Sequence, residues 1–187
     1  MIKRPESWRL ALGFIVTALL IGAVGDNLNR TIVEMPAWRA LGATAWAAFS
    51  RLADLGNGRI IYPVAGIGST VLVLAAAISF RTSALRPWSV AVPVYGAALM
   101  NIGVILLTTQ AAPIMLNVPR LGTDPVALRQ AFEGFYRWDS IRAVFGALAS
   151  CAQIWAVVAL FASSNAARRL ASDGRQLAAG PTDATRA

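Results

Sequence analysis

Charged and apolar positions fall in long separate blocks along this chain. Four stretches carry no charged residue, at positions 10–25, 60–80, 87–119 and 143–167. A helix needs about 17–25 mostly apolar residues to cross a bilayer core. The pattern therefore predicts four membrane spans, at about 8–25, 60–80, 88–110 and 143–163.

These spans predict an all-α fold, an integral membrane four-helix bundle over residues 1–163, with two amphipathic helices in the outer loops. Residues 164–187 are predicted to form a flexible cytoplasmic tail, because they are rich in Ala, Ser, Arg, Gly and Asp. The first apolar stretch ends in Gly25-Asp26-Asn27 with no A-x-A-like cleavage site. It is interpreted as a retained span and not as a signal peptide.

The amino-acid composition of the chain is also typical of a membrane protein, and the lipid bilayer is its first predicted binding partner. Charged residues make up 14% of the chain, against about 25% in soluble domains. The net charge of +8 comes from arginines scattered between apolar blocks, which argues against a nucleic-acid partner. Basic residues on the side of both termini lie in the shorter loops, so both termini are predicted to be cytoplasmic in a plasma (inner) membrane.

The residue inventory excludes several kinds of site. The chain has no histidine, and Cys151 is its one cysteine. Disulfides within the chain, cysteine-based zinc or iron–sulfur centres and histidine-ligated metals are therefore excluded, as is a catalytic triad that uses histidine. No metal site and no cofactor is predicted.

Helical patterns also occur in the two long loops, residues 26–59 and 111–139. In the first, apolar residues at spacings of three or four predict one amphipathic helix of about 16 to 18 residues that begins near Pro36. In the second, Thr123 or Asp124 is predicted to cap a helix with Pro125 in its first turn. Both helices are predicted on one side of the membrane, where together they would roof a pocket. The predicted apolar faces are Trp38, Leu41, Ala45, Phe49 and Leu52 in the first helix, and Leu128, Phe132, Phe135 and either Trp138 or Asp139 in the second.

The segment FYRWDSIR, which enters the last span, carries the main candidate chemistry. Asp139 and Arg142 are three positions apart, so they lie close together on a helix. One interpretation is an interfacial collar, with Trp138 at headgroup depth and arginines reaching outward. The other is a site in which Asp139 and Arg142 bind a polar group of a hydrophobic ligand beneath aromatic walls.

The end of the first span supplies partners at the same predicted depth. Asp26, Asn27 and Arg30 follow one another in GDNLNRTIVE, and Asp26, Arg30 and Glu34 have the spacing of a helical ion-pair ladder. Arg51 and Asp54 form a third charged cluster before the second span. Structural ion pairing and ligand binding both remain open for these groups.

A polar layer is predicted deeper in the bundle. Thr17, Thr70, Asn101 and Gln153 each fall near the middle of a predicted span. Amides facing lipid at the midplane are costly, so Asn101 and Gln153 are expected to face inward. The layer is either a set of interhelical hydrogen bonds or the floor of a pocket.

The segment WAAFSRLADLGNGRIIYP, preceded by a further Trp, and an N-x-P motif followed by FYRWDSIR resemble a four-span membrane family of unknown function that includes the anthrone oxygenases. The resemblance covers roughly residues 10–162. Family members commonly carry an Asn near the end of the third span and an Arg-Trp pair before the fourth, matched here by Asn117 and by Arg137 with Trp138. A His that often precedes the final Arg is absent here.

The resemblance implies oxidation of an aromatic polyketide by O₂ without metal or flavin. Such chemistry needs a base and a cation that stabilises an anion, in a dry pocket. Asp139 or Asp26 is the candidate base, and Arg142 or Arg30 the candidate cation. The candidate substrate-binding residues are Asn27, Trp38, Trp46, Arg51, Asn101, Asn117, Phe135, Trp138 and Gln153.

A non-enzymatic function is the alternative. In this hypothesis the chain is a structural or accessory membrane subunit, and its outer-loop helices bind a partner protein or a second copy of the chain. A pocket open to lipid would favour the enzyme, whereas a filled bundle with an exposed apolar outer surface would favour the partner hypothesis.

Overall fold

The structure, a computed structural model, describes residues 25–81 and 88–178. The predicted first span at 8–25 therefore lies outside the described residues except for Gly25. Thr17 of the predicted polar layer and residues 179–187 of the predicted tail also lie outside them.

The described residues are helical apart from Gly42 and the turns at residues 53–57 and 122–124, and no strand occurs among them, which confirms the all-α class for this part of the chain. Residues 25–29 are α-helical and lead into a π-helical segment, Arg30–Glu34. The remaining elements, in chain order, are α1 (Met35–Leu41), α2 (Ala43–Leu52), α3 (Gly58–Arg81), α4 (Trp88–Asn117), a 3₁₀ turn (Val118–Leu121) and α5 (Pro125–Ala178).

Three of the described helical stretches are long and apolar enough to cross a membrane: Gly58–Arg81, Trp88–Leu121 and Pro125–Ser163. They contain three of the four predicted spans, which indicates a membrane protein. Their surfaces expose many Leu, Ile and Val side chains, as expected where lipid and not water covers a helix. α4 packs mainly against α5, and α3 packs against α4.

Close packing of α4 on α5 depends on Gly103. A Cβ added at Gly103 would lie 2.5 Å from Cδ1 of Phe145, so the Phe145 ring occupies the place of the missing side chain. Small residues allow such approach between membrane helices, where dispersion contacts take the role that the hydrophobic effect has in water.

α5 begins as the sequence predicts and continues into the span without a break. The Asp124 side chain accepts hydrogen bonds from the backbone N–H groups of Val126 (2.9 Å) and Ala127 (3.2 Å), which confirms the predicted cap. Leu128, Phe132 and Phe135 are buried on one face. Asp139, and not Trp138, continues this face, since Asp139 is 1% exposed. α5 also extends past the predicted span end, so residues 164–178 are helical.

The prediction of one helix in the first long loop is wrong. The chain forms two helices, because Gly42 adopts φ +97° and interrupts the backbone between α1 and α2. Such a positive φ is accessible to glycine at little cost. The break redirects α2 so that Trp46, Ala47 and Ser50 are buried, while Leu52 of the predicted apolar face is exposed.

These short helices pack at one end of the long helices, where α3 begins and α4 ends. We call this end the network end, because it contains a network of ion pairs between arginine and aspartate side chains. The hydrophobic core there joins α1, α2, the end of α4, the 3₁₀ turn and the start of α5. Its fully or nearly fully buried members are Met35, Trp46, Ala47, Ala111, Met115, Val118, Leu128, Phe132 and Phe135.

Candidate functional site: a buried arginine–aspartate network

A salt bridge between Arg30 and Asp54 lies inside the network end. Nη2 of Arg30 is 2.8 Å from Oδ2 of Asp54, and the two residues are only 8% and 3% exposed. Asp54 also accepts a hydrogen bond from the hydroxyl of Ser50 and one of 3.2 Å from the hydroxyl of Tyr62. Both oxygens of this carboxylate are therefore paired, as a buried charge requires.

Asp54 reaches this position because α2 stops at Leu52 and the chain turns over residues 53–57. The backbone N–H of Leu55 donates to the carbonyl of Ser50 (2.9 Å), which folds the turn back over the last turn of α2. Ser50 and Asp54 thereby come together beneath the turn. α3 starts at Gly58, and Tyr62 lies one helical turn further on.

A second ion pair, between Arg142 and Asp139, lies on the first half of α5. Nη2 of Arg142 also donates to Oδ1 of Asn27 at 3.0 Å. The hydroxyl of Thr31 donates to Oδ2 of Asp139 at 3.4 Å. The segment 25–34 is thus fastened to α5 by polar contacts at two successive turns.

Arg30 connects the two ion pairs electrostatically. Burial alone would lower its pKa, but the negative charges of Asp54 and Asp139 outweigh burial and raise the pKa above its ordinary value. Arg30 therefore stays protonated across the physiological range. With Arg142 the cluster holds two positive and two negative side chains, so the buried network is neutral as a whole.

Aromatic side chains surround the guanidinium of Arg30. Its Cζ lies 5.0 Å from the ring centre of Phe135 and 5.8 Å from that of Tyr62, within the range of cation–π attraction. Phe135 packs in turn on Trp46, with ring centres 5.8 Å apart. Met115 supplies a sulfur atom 4.0 Å from Nη2 of Arg30.

Three N–H groups at this end of the molecule are buried and have no hydrogen-bond acceptor among the described residues. They are Nε of Arg30, Nε of Arg142 and Nε1 of Trp46. Buried donors are nearly always satisfied in native proteins. Two of the three belong to the network itself, so the network retains capacity to bind an oxygen acceptor.

The predicted ladder of Asp26, Arg30 and Glu34 is wrong. Asp26 is exposed, and Glu34 accepts a hydrogen bond of 3.0 Å from the side chain of Asn29. Arg30 pairs with Asp54 instead, and the π-helical winding of Arg30–Glu34 changes the register between Arg30 and Glu34 that an α-helix would give.

The structure brings Asn27, Arg30, Asp139 and Arg142 into one cluster, with Phe135 beside it. Sequence reasoning placed Asp54 with Arg51 and did not include it among the site residues. It also missed three hydroxyl groups of the network. The spacing of Ser50 and Asp54 by four positions was the available signal, but it does not show which side of the turn faces the core. The missed residues are Thr31, Ser50, Asp54 and Tyr62.

Other predicted site residues lie apart from the network. The guanidinium of Arg51 donates to the carbonyls of Val118 (3.2 Å) and Gly122, which fastens α2 to the 3₁₀ turn. Trp38 packs on Phe49 with ring centres 4.7 Å apart. Asn117, the last residue of α4, is exposed. Trp138 lies under the guanidinium of Arg137 at 5.0 Å.

Part of the deeper polar layer is visible. The hydroxyl of Thr70 donates to Oδ1 of Asn101 at 3.0 Å, which joins α3 to α4. Asn101 and Gln153 are both buried, as their amides require at membrane depth. This contact has the character of an interhelical hydrogen bond.

Residues 25–81 and 88–178 contain no group of three carboxylate or thiol side chains placed to hold a metal ion. The chain was compared with models of known protein families, with curated proteins and with solved structures, and none of these comparisons finds a match.

Proposed function

We propose that this protein binds a lipid-soluble aromatic molecule with an acidic phenol or enol group, and that the buried arginine–aspartate network holds that group. The single observation that carries the proposal is the burial of three ionisable side chains, Arg30, Asp54 and Asp139, beside three apolar membrane-type helices, with the partly buried Arg142 paired to Asp139. Ionisable groups in such surroundings are costly and usually serve a function. Here the cost is accompanied by unused donors on both arginines.

The chemistry of the ligand follows from these donors. Nε of Arg30 and Nε of Arg142 each offer an N–H to an oxygen acceptor. A phenolate or enolate oxygen matches them, because a guanidinium stabilises negative charge most strongly where water is excluded. Tyr62, which flanks Arg30 and is 43% exposed, provides a face against which an aromatic ring can pack.

We propose that the ligand reaches the network from the bilayer by moving along α3. Tyr62 is the network member nearest the surface, at 43% exposure, and it lies near the start of a candidate membrane span. A molecule dissolved in the bilayer would meet Tyr62 before it met Asp54 or Arg30. Trp46, by contrast, is fully buried in the core, where it packs against Phe135 and does not contact Arg30 or Asp54 in a hydrogen bond.

The reaction we propose is the one that the family resemblance implies, oxidation of an anthrone by O₂. Asp139, which is held by Thr31 and Arg142, removes a proton from the ring methylene group, and the arginines stabilise the resulting enolate. The carbanion passes an electron to O₂, and the two radicals combine to a peroxide at the ring carbon, which takes back the proton held by Asp139. Loss of the second methylene proton then breaks the O–O bond, so that one oxygen atom becomes the new quinone carbonyl and the other leaves as water. Asp139 is the base in this proposal and Asp26 is not, because Asp26 lies at the surface.

The second candidate function, an accessory subunit, also has an observation in its favour. Ile32, Val33, Leu41 and Leu52 lie outside the three candidate spans and are 59–82% exposed. Together with the filled core at the network end, these side chains would suit a protein partner that covers the short helices.

For either function we propose four spans, with the first at residues 8–25, in the plasma (inner) membrane. Both termini face the cytoplasm in this arrangement, and the network end faces outward.

Transfer of ¹⁸O tests the enzymatic proposal. Membranes containing the protein are incubated with 1,8-dihydroxyanthrone under ¹⁸O₂, and the quinone is analysed by mass spectrometry. We expect labelled quinone above the level of empty membranes, and loss of that excess in the double variant Asp139→Asn/Arg142→Gln. This variant keeps the network neutral and hydrogen-bonded. An excess that survives in the double variant would remove Asp139 and Arg142 from the reaction, and no excess at all would leave the accessory function as the better account.

A further inference from the structure

A second group of arginines lies on the opposite side of α5 from the network. Arg39 and Arg137 border a shallow, open depression whose floor includes Gly134, Ser140 and Ile141. Arg137 is exposed, whereas Asp139, two residues later on the helix, is almost completely buried. The segment FYRWDSIR therefore presents one set of charges inward and another outward.

The arginines of the depression are held in place by aromatic rings. Cζ of Arg39 lies 4.5 Å from the ring centre of Tyr136, and Cζ of Arg137 lies 5.0 Å from that of Trp138. Rings that pack against the guanidinium groups reduce the freedom that a long side chain loses on binding a ligand. The depression is therefore partly organised before any ligand arrives.

The local charge is positive. Arg39 pairs with Glu133 at 2.8 Å, and both side chains are 52% exposed. Glu133 is the one acidic residue that lines the depression, and its charge is neutralised by Arg39. The positive charge of Arg137 is therefore not balanced by a carboxylate of the lining. The hydroxyl of Ser140 is buried and has no partner among the described residues. A guanidinium and a hydroxyl together suit a phosphate oxygen.

The position of Arg137 relative to the last uncharged stretch indicates that the depression lies near the depth of lipid headgroups. Arg137 precedes the uncharged stretch 143–167 by six residues, which is about 9 Å along a helix. The headgroup layer begins where the hydrocarbon core of roughly 30 Å ends. Tyr136 and Trp138 are residue types that concentrate at this level.

An apolar stripe leads from the depression into the membrane. Arg137, Ile141, Val144 and Leu148 are spaced by four, three and four positions, so they lie on one face of α5. Ile141 lines the depression, and Val144 and Leu148 are 58% and 51% exposed. An acyl chain can follow this stripe while its headgroup stays at Arg137.

From these observations we propose that the depression bordered by Arg39 and Arg137 is a binding site for one anionic phospholipid. Its phosphate lies between Arg137 and Ser140, and one acyl chain lies along Ile141, Val144 and Leu148. The proposal is independent of the proposed function, since it uses the face of α5 that points away from the network. In this proposal, FYRWDSIR is an interfacial collar, as one interpretation of the sequence has it, and its outward-facing arginine binds a specific phospholipid.

Native mass spectrometry of the detergent-purified full chain tests this site. The protein is equilibrated with an equimolar mixture of dioleoylphosphatidylglycerol and dioleoylphosphatidylcholine, and the retained lipids are counted. We expect one phosphatidylglycerol molecule to be retained in preference to phosphatidylcholine. The Arg137→Gln variant should reduce that retention at least threefold.

Arg129→Gln is the matched control, because Arg129 is an exposed arginine on the same helix that does not line the depression. Its retention of phosphatidylglycerol should equal that of the unmodified chain. Equal retention of the two lipids, or the same loss in Arg129→Gln as in Arg137→Gln, would overturn the proposal in favour of general charge attraction. Displacement of phosphatidylglycerol by millimolar inorganic phosphate would also overturn it, since a free anion does not use the apolar stripe.

Discussion

Arg30 places a positive charge between two buried carboxylates, those of Asp54 and Asp139. Removing one member of a buried ion pair costs about 3–5 kcal/mol, because the remaining charge is left without compensation. Replacing both members by neutral groups is far less harmful. The energetic role of the network is therefore measurable one residue at a time.

We predict that Arg30→Met lowers the free energy of unfolding by about 3–5 kcal/mol, measured by denaturant titration in detergent micelles. The double variant Arg30→Met/Asp54→Asn should recover most of this loss, since the carboxylate of Asp54 is then no longer buried without its partner and Asp139 keeps its ion pair with Arg142. Arg39→Met is the control, because its partner Glu133 is 52% exposed and exposed pairs contribute about 0–1 kcal/mol. Equal losses in Arg30→Met and Arg39→Met would contradict the burial of the network.

Some residues of the network could be grouped from the sequence, and others could not. Asp139 and Arg142 are close in sequence on a helix, and Asn27 and Arg30 follow a predicted span at the same depth, so depth and helical spacing were enough to group them. Asp54 joins the group through the turn at residues 53–57. The direction of a turn depends on tertiary packing, which spacing along the chain does not encode.

The same contrast holds for whole elements. The beginning of α5 was predictable, because Asp124 and Pro125 are a local signal for a helix start. The break between α1 and α2 was not, since Gly42 inside an apolar pattern is compatible with a continuous helix, and its positive φ is visible only in the fold.

At the contact between α4 and α5 we predict that Gly103→Leu is destabilising by about 1–3 kcal/mol, the usual effect of overpacking. The added Cβ would lie 2.5 Å from Phe145, so the ring or the helix must move. Thermal unfolding in detergent measures the effect.

Gly96→Leu is the matched control for this helix contact, because a Cβ at Gly96 meets no atom within 4 Å. Both substitutions introduce the same residue into α4, so the difference in intrinsic helix propensity cancels. If the two variants unfold at the same temperature, the close approach of α4 and α5 at Gly103 is wrong.

The whole molecule is long relative to a bilayer. Asp139 and Ser172 are 33 residues apart on the single helix α5, which corresponds to about 50 Å. A hydrocarbon core is about 30 Å thick. The network end and the end of α5 therefore lie on opposite sides of any membrane that α5 crosses.

Cysteine labelling shows which side of the membrane the network end occupies. In a Cys151→Ser background, we predict that Asn57→Cys reacts with a membrane-impermeant maleimide in intact cells. Ser172→Cys should react only after lysis. The reverse pattern would place the network end in the cytoplasm and would contradict the proposed orientation, while leaving the fold unaffected.

The central claim is that the buried network binds an acidic aromatic ligand, and anaerobic equilibrium binding tests it most directly. Without O₂ the ligand is not consumed, so quenching of tryptophan fluorescence by 1,8-dihydroxyanthrone reports binding alone. We predict saturable quenching in the purified protein. Asp139→Asn/Arg142→Gln should weaken the affinity about tenfold to a hundredfold, because a hydrogen bond to a charged group contributes about 1.5–3 kcal/mol. Unchanged affinity in a folded double variant would contradict the claim.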